Sequence, residues 1–192
     1  RRRDIVLAAL LALLLVAIAL IGVWMQGPPP LPAYSAVSTQ PQGAGALAEW
    51  LAALGYEVDI EPAPSFEPPR ADEVLVVLEP VQVFTDQEWL TLEQSLKAMG
   101  GRVLIVGDGL TADLVMEHFG YSVGATERPI EAALPVFGAP AFTRADVDVA
   151  TLVGDRPDAA PLLMASGRPA AVEFALGKGS VTLATTIDAF SN

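Results

Sequence analysis

Arg102-Val103-Leu104-Ile105-Val106-Gly107-Asp108-Gly109 is the stretch whose reading decides the fold. The apolar run Val103–Val106 follows a Gly100-Gly101 break and ends in Gly107-Asp108-Gly109. A short β-branched run without polar alternation reads as a strand covered on both faces. Helical patterns on either side place it centrally in a parallel sheet. Ligand sites in open α/β sheets lie at the carboxyl ends of the strands. Gly107-Asp108-Gly109 is therefore the first place to look for chemistry, and it carries no diagnostic catalytic motif.

Upstream, Leu47, Trp50, Leu51 and Leu54 form an apolar stripe at helical spacing over Ala44–Leu54, and Gly55 ends it. Val58–Ile60 reads as a short strand. Its acidic alternates Glu57, Asp59 and Glu61 suit an edge protected from aggregation. The proline-rich stretch Pro62–Arg70 reads as a loop, and Glu73–Leu78 as a second buried strand. Thr85 and Glu88 form a capping box. The helix they open buries Trp89, Leu92, Leu96 and Met99, and Gly100-Gly101 stop it.

Downstream, Thr111 is expected to cap a helix that carries Leu114, Val115, His118 and Phe119 on one face. Helix and strand alternate to this point, which predicts a doubly wound, mostly parallel α/β sheet. Pro129–Ala141 then reads as loop-rich. Val147–Val153, Leu162–Ala165, Ala171–Leu176 and Ser180–Thr185 read as strands of an antiparallel C-terminal extension. Gly177-Lys178-Gly179 joins the last two as a hairpin.

At the other end of the chain, Ile5–Met25 is uncharged and strongly apolar. At about 1.5 Å per residue such a helix spans the roughly 30 Å hydrocarbon core. Arg1-Arg2-Arg3 precede it and Trp24 sits at the far interface, so the positive-inside rule puts the N-terminus in the cytoplasm and the rest outside. A signal peptide would have a shorter apolar core and a small-residue cleavage site, whereas here Pro28-Pro29-Pro30 follow. The expected organisation is an anchor over 1–26, a stiff proline-rich tether over 27–37 and an extracytoplasmic α/β domain over 38–192.

Composition removes several chemistries. The sequence has no cysteine, which excludes disulfides, thiolate metal sites and a cysteine nucleophile. His118 is its single histidine, so a multi-histidine metal centre cannot form within one chain. Neither a cofactor nor a metal is expected. The net charge of -12 repels phosphate backbones, and no nucleic-acid partner is expected.

Several pieces together resemble one family: Ser38-Thr39-Gln40-Pro41-Gln42-Gly43-Ala44, Leu54-Gly55-Tyr56-Glu57-Val58, the Glu73–Leu78 strand, Gly100-Gly101-Arg102-Val103, and Gly177-Lys178-Gly179 running on to Phe190-Ser191-Asn192. They are similar to a bacterial, membrane-anchored family of unknown function with a glutamine-amidotransferase-like fold. That family is related to auxiliary gliding-motility-type components of ABC transporters. The resemblance covers about residues 34–192. It implies a chain that continues past Asn192, often to a second span, and partners among transporter or ATPase-associated membrane complexes. It carries no activity across, because an amidotransferase needs a cysteine on the turn after a central strand, and Asp108 stands on that turn.

The candidate ligand-binding residues are Ser38, Thr39, Asp108, Asp188 and Asn192. Ser38 and Thr39 precede a helix whose free N–H groups could hold an anion, or they simply cap it. Asp108 reads as a ligand contact, or as the cap of the next helix between glycines at positive φ. Asp188, with Ser191 and Asn192, would approach Asp108 if the last strand is parallel and central. His118 reads as a favourable charge at a helix C-terminus. The expected function is a non-catalytic, membrane-anchored binding or scaffold module of an envelope or transporter complex. The alternative is a hydrolase acting on envelope carbohydrate through paired carboxylates.

Overall fold

A computed structural model describes residues 35, 37–38, 43–60, 66–128, 130–132, 144–145 and 148–185. The expected span Ile5–Met25 lies outside them, as do Thr39, Asp188, Ser191 and Asn192. Among the described residues no helix is long and apolar enough to cross a membrane.

In chain order the described elements are α1 (Gly45–Ala53), β1 (Val74–Leu78), α2 (Asp86–Met99), β2 (Arg102–Val106), α3 (Leu110–Glu117), β3 (Tyr121–Glu127), β4 (Ile130–Ala132), β5 (Arg144–Ala145), β6 (Val149–Gly154), β7 (Ala160–Ala165), β8 (Arg168–Leu176) and β9 (Gly179–Ala184). The main sheet has the order β1-β2-β9-β8-β7-β4-β5, and β3 pairs with β6 apart from it. β1, β2 and β9 are parallel, with Val76 opposite Leu104 and Leu104 opposite Thr182. From β9 through β8, β7 and β4 to β5 every pairing is antiparallel. The class is mixed α/β, with a parallel end and an antiparallel extension larger than the sequence suggested.

Strand alternation sends Val103, Ile105, Val181, Leu183 and Phe174 to one face, where Trp89, Leu92 and Leu96 of α2 and Val115 and Met116 of α3 cover them. Each such side chain, fully buried, contributes about 1.5–3 kcal/mol. The opposite face is only partly covered. Val106, Ala171 and Ala184 are buried there against Leu78, Leu104, Leu162 and Leu163, while Val74 is 52% and Val76 38% exposed. Both crossover helices thus pack on one face, and no double winding is seen among the described residues. Two expectations change with it. β2 is covered fully on one side only, and β1 is a half-exposed edge strand.

Local signals are reproduced where the partner is near in sequence. The Thr85–Glu88 capping box forms, and Gly100 closes α2 at φ 94°. The β8–β9 hairpin turns through Gly177 at φ 68°. Met99, expected inside, is 48% exposed. Thr111 does not cap α3; it lies in the first turn after Gly109, which occupies the N-cap without a side-chain bond. On α3, Met116 takes the buried place expected of Leu114, which is 45% exposed. Tyr121–Glu127 is a strand the sequence reading left unassigned, and β4 lies in the stretch read as a loop. Residues 56–60 carry no regular secondary structure, against the expected strand. The Tyr56 N–H is taken by the Leu51 carbonyl at the end of α1 (3.1 Å), and a five-residue strand that pairs with no other among the described residues does not hold in water.

Candidate functional site at the carboxyl ends of the parallel strands

β1, β2 and β9 end side by side, so Glu79, Gly107-Asp108-Gly109 and Thr185 are brought to one edge of the sheet. The Glu79 N–H donates to the Val106 carbonyl (2.7 Å), and the Gly107 N–H donates to the Ala184 carbonyl (3.0 Å). Glu79 adopts φ 39°, a left-handed conformation that is uncommon for a non-glycine residue. That backbone turns its side chain across the end of β2. There its two carboxylate oxygens accept from the Asp108 and Gly109 N–H groups, each at 3.1 Å.

These donors stand at the amino end of α3, where backbone N–H groups and the helix dipole favour an anion. The protein supplies that anion itself. The glycines follow from this contact rather than from positive φ. Gly109 has φ -77°. A Cβ at Gly107 would come within 2.6 Å of Glu79 Oε2, and one at Gly109 would overlap Oε1.

Asp108 is exposed. Its carboxylate makes no hydrogen bond or ion pair among the described residues, so it is not the helix cap the sequence suggested. Thr185, at the end of β9, is buried and donates through Oγ1 to the Ala150 and Ala170 carbonyls. The condition set for Asp188 holds in that β9 is parallel to β2 and lies inside the sheet. Asp188 and Asn192 themselves lie outside the described residues.

Ser38 is buried, and its carbonyl accepts from the Gly45 N–H at the start of α1 (2.9 Å), while the Ser35 carbonyl accepts from Ala44 (3.0 Å). Backbone carbonyls therefore take the Ala44 and Gly45 N–H groups at the helix start, where an anion was considered. Ser38 and Asp108 are not brought together by any contact of the structure.

His118 is the C-cap of α3, and its ring does more than meet the helix dipole. It stacks on Trp89 with centroids 3.9 Å apart and planes 6° from parallel. Its Nε2 lies 2.9 Å from Glu93 Oε1. The Lys97 ammonium hydrogen-bonds the other Glu93 oxygen, and Lys97 first and His118 second hold the Glu93 carboxyl below its usual range. Among the described residues no hydroxyl nucleophile hydrogen-bonds this Glu–His pair.

A shallow depression of about 180 Å³ is lined by Tyr121, Asp155, Arg156, Pro161, Met164 and others. Its cation is already engaged. Arg156 lies 4.0 Å above the Phe174 ring and forms a two-point contact with Asp158 (3.1 and 2.9 Å). Among the described residues no group of acidic and histidine side chains could hold a metal ion.

Glu79 is the residue sequence reasoning missed. The available signal was an acid at the end of an apolar strand, one residue before Pro80. Its partners are 29 and 30 residues away in the chain.

The profile of a family described as Domain of unknown function (DUF4350) matches residues 36–192. No curated protein matches. Among solved structures, the exo-beta-1,4-mannosidase Op5Man5 from Opitutaceae bacterium strain TAV5 aligns with a TM-score of 0.51 at 14% identity, over 76% of this chain and 26% of its own. The Cytoplasmic Protein STM1381 from Salmonella typhimurium LT2 aligns with a TM-score of 0.50 at 15% identity, over 73% of this chain and 74% of its own. The likeness is one of fold, and the chain spans about a quarter of the mannosidase's length.

Proposed function

The chain belongs to the DUF4350 family, and from that premise we propose a non-catalytic, membrane-anchored binding or scaffold module, held outside the cytoplasm in an envelope or transporter-associated complex. The observation that carries the non-catalytic part is the Glu79 carboxylate on the Asp108 and Gly109 N–H groups. An α/β sheet of this kind binds or transforms its ligand at that edge. Here the anion-binding donors are spent internally, and the single carboxylate left over, Asp108, has neither a nucleophile nor a base beside it among the described residues. The anchor and the outward orientation are supported by the sequence of Ile5–Met25 and Arg1-Arg2-Arg3. The glutamine-amidotransferase-like fold and the kinship with gliding-type transporter components rest on the sequence resemblance.

The test is turnover. Full-length chain in detergent or nanodiscs is assayed against glycoside, ester and phosphoester substrates. The module reading expects no turnover above the uncatalysed rate. Turnover abolished by Asp108→Asn would establish the alternative, a hydrolase of envelope carbohydrate. That alternative draws on the exposed, unengaged Asp108 carboxylate beside the end of β9, the strand that leads toward Asp188.

A further inference from the structure

We propose that the hollow between β7, β8 and the β6–β7 loop binds one neutral sugar ring, held by Tyr121, Asp155 and Arg156. This rests on the binding-module reading and gives the module a site. With the carboxyl edge closed by Glu79, the ligand of such a module binds elsewhere in the fold.

The hollow is built into the backbone. β7 and β8 slip register twice in succession, between Pro161 and Leu163 and between Leu163 and Met164. Pro161 lies opposite Val172 and Leu163 opposite Ala171, so the first slip adds a residue to β7. Met164 lies opposite Pro169, so the second adds one to β8. Residues three apart on a regular strand point to opposite faces. Here Pro161 and Met164 of β7 both line the hollow, as do Pro169 and Val172 of β8. Bulges of this kind re-aim side chains beside binding sites. The volume of about 180 Å³ holds one small ring and falls below the roughly 300–1,000 Å³ of pockets for larger molecules.

Three polar groups meet these apolar walls, and each has capacity to spare. Tyr121 is 3% exposed. The Arg156 backbone N–H is turned to its hydroxyl oxygen, and the hydroxyl proton has no protein acceptor among the described residues. Buried polar groups are almost always paired. The Arg156 guanidinium is fixed by its two contacts with Asp158 and by the Phe174 ring beneath it. Its remaining N–H groups have no partner among the described residues. Asp155 is exposed and makes no hydrogen bond or ion pair among the described residues.

These groups define the ligand. Tyr121 and Arg156 donate while Asp155 accepts, so the ligand must do both from neighbouring positions. Asp155 and Asp158 outnumber Arg156 in a chain of net charge -12, which disfavours an anion. The guanidinium disfavours an ammonium. Adjacent hydroxyls of a sugar ring donate to Asp155 and accept from Arg156 and Tyr121. The C–H face of the ring then rests on Pro161, Met164 and Pro169. An extended peptide is less suited, because it binds by pairing its backbone with a strand, and Pro161 and Pro169 have no N–H to offer.

The test uses the full-length chain in nanodiscs. Saturation-transfer NMR is run with methyl α-glucoside and methyl N-acetyl-β-glucosaminide, and with N-acetylalanine methylamide as the peptide-like control. The expected result is saturable transfer to a glycoside and none to the amide. Binding should weaken about tenfold or more in both Asp155→Ala and Tyr121→Phe. Asp155 is exposed, and phenylalanine keeps the ring at position 121 stacked on Phe174, so both variants keep the fold. Transfer to neither glycoside, transfer that both variants retain, or transfer to the amide instead would overturn the proposal and leave the module reading standing. Release of methanol from a bound glycoside would end the non-catalytic reading and support the sugar site.

Discussion

Glu79 Oε1 stands 3.1 Å from the Gly109 nitrogen, in the space that a side chain at position 109 would need. A carboxylate from the end of one parallel strand thereby closes the turn after the next. The β1 and β2 ends are joined by this contact and by the Glu79–Val106 backbone bond.

Gly109→Ala should displace the Glu79 carboxylate and cost about 1.5–3 kcal/mol, the range for hydrogen bonds to charged groups. Glu79→Ala should cost a similar amount, because it removes the same bonds from the other side. Urea unfolding of both single variants and the double should show strong non-additivity. Additive losses would mean that the two residues do not act through one another.

Gly177→Ala and Gly179→Ala should be more damaging, since overpacking against fixed backbone costs up to about 3 kcal/mol at either position and, at Gly177 alone, a left-handed φ of 68° adds about 1 kcal/mol or more. A Cβ at Gly177 would overlap Lys97 Cα, and one at Gly179 would overlap the Gly101 carbonyl. The motifs around Gly100-Gly101 and Gly177-Lys178-Gly179 thus meet where the C-terminus of α2 rests on the β8–β9 hairpin, at the opposite end of the sheet from Asp108. Thermal unfolding measures the loss. Wild-type stability of either variant would remove this contact from the account.

Much of the fold was legible because its signals are local. Val103–Val106, the Thr85–Glu88 box and the Gly177 turn each act within a few residues. What failed depends on partners distant in sequence. Glu79 showed only as an acid ending an apolar strand before Pro80, and its role stayed hidden because its donors lie 29 and 30 residues on. Asp113 is another such case, as its carboxylate accepts from the Val123 N–H at 2.6 Å. β3 was missed although Tyr121, Val123 and Ala125 alternate with Ser122, Gly124 and Thr126 at the period of a strand; Gly124 and Ala125 weaken that signal, and its partner β6 lies more than twenty residues on, with a register shift between Val123 and Thr126. The covered and uncovered faces of β1 were indistinguishable, since Val74–Leu78 is apolar throughout. At the site, Asp108 was found, but its role as a cap was assigned to the wrong carboxylate.

Stability should fall at both ends of the pH scale. Glu93 is held below its usual range by Lys97 and then His118, Asp148 by its hydrogen bonds with Arg128, and Asp158 by those with Arg156. A carboxyl lowered on folding contributes stability that is present above its unfolded value and lost as pH falls through the folded one. The acid loss therefore begins as pH drops below the ordinary values of 4.5 for Glu93 and 3.8 for the aspartates. Burial raises the Tyr121 hydroxyl above its ordinary value of 10.0, so its contribution is present below that pH and lost as pH climbs through the raised value. Urea midpoints from pH 3 to pH 11 should trace this dome. Glu93→Gln should flatten the acid limb and Tyr121→Phe the alkaline one; unchanged limbs would refute the assignment.

Trp89→Ala should cost about 3–5 kcal/mol, as for other buried aromatic residues. Trp89 is 8% exposed and holds α2 to α3 through the His118 stack and an edge contact with Phe119. Chemical denaturation with fluorescence from the remaining tryptophans measures it, and a loss below about 1 kcal/mol would show that the stack is not a structural joint.

The central claim is a binding module held outside the cytoplasm, and sidedness tests it most directly. Spheroplasts of bacteria expressing the full-length chain, tagged after Asn192, are treated with external protease, with a cytoplasmic protein as the control for lysis. The account predicts that the tag and the folded domain are degraded while the control survives. Full protection of the domain in spheroplasts whose outer face is accessible would contradict it.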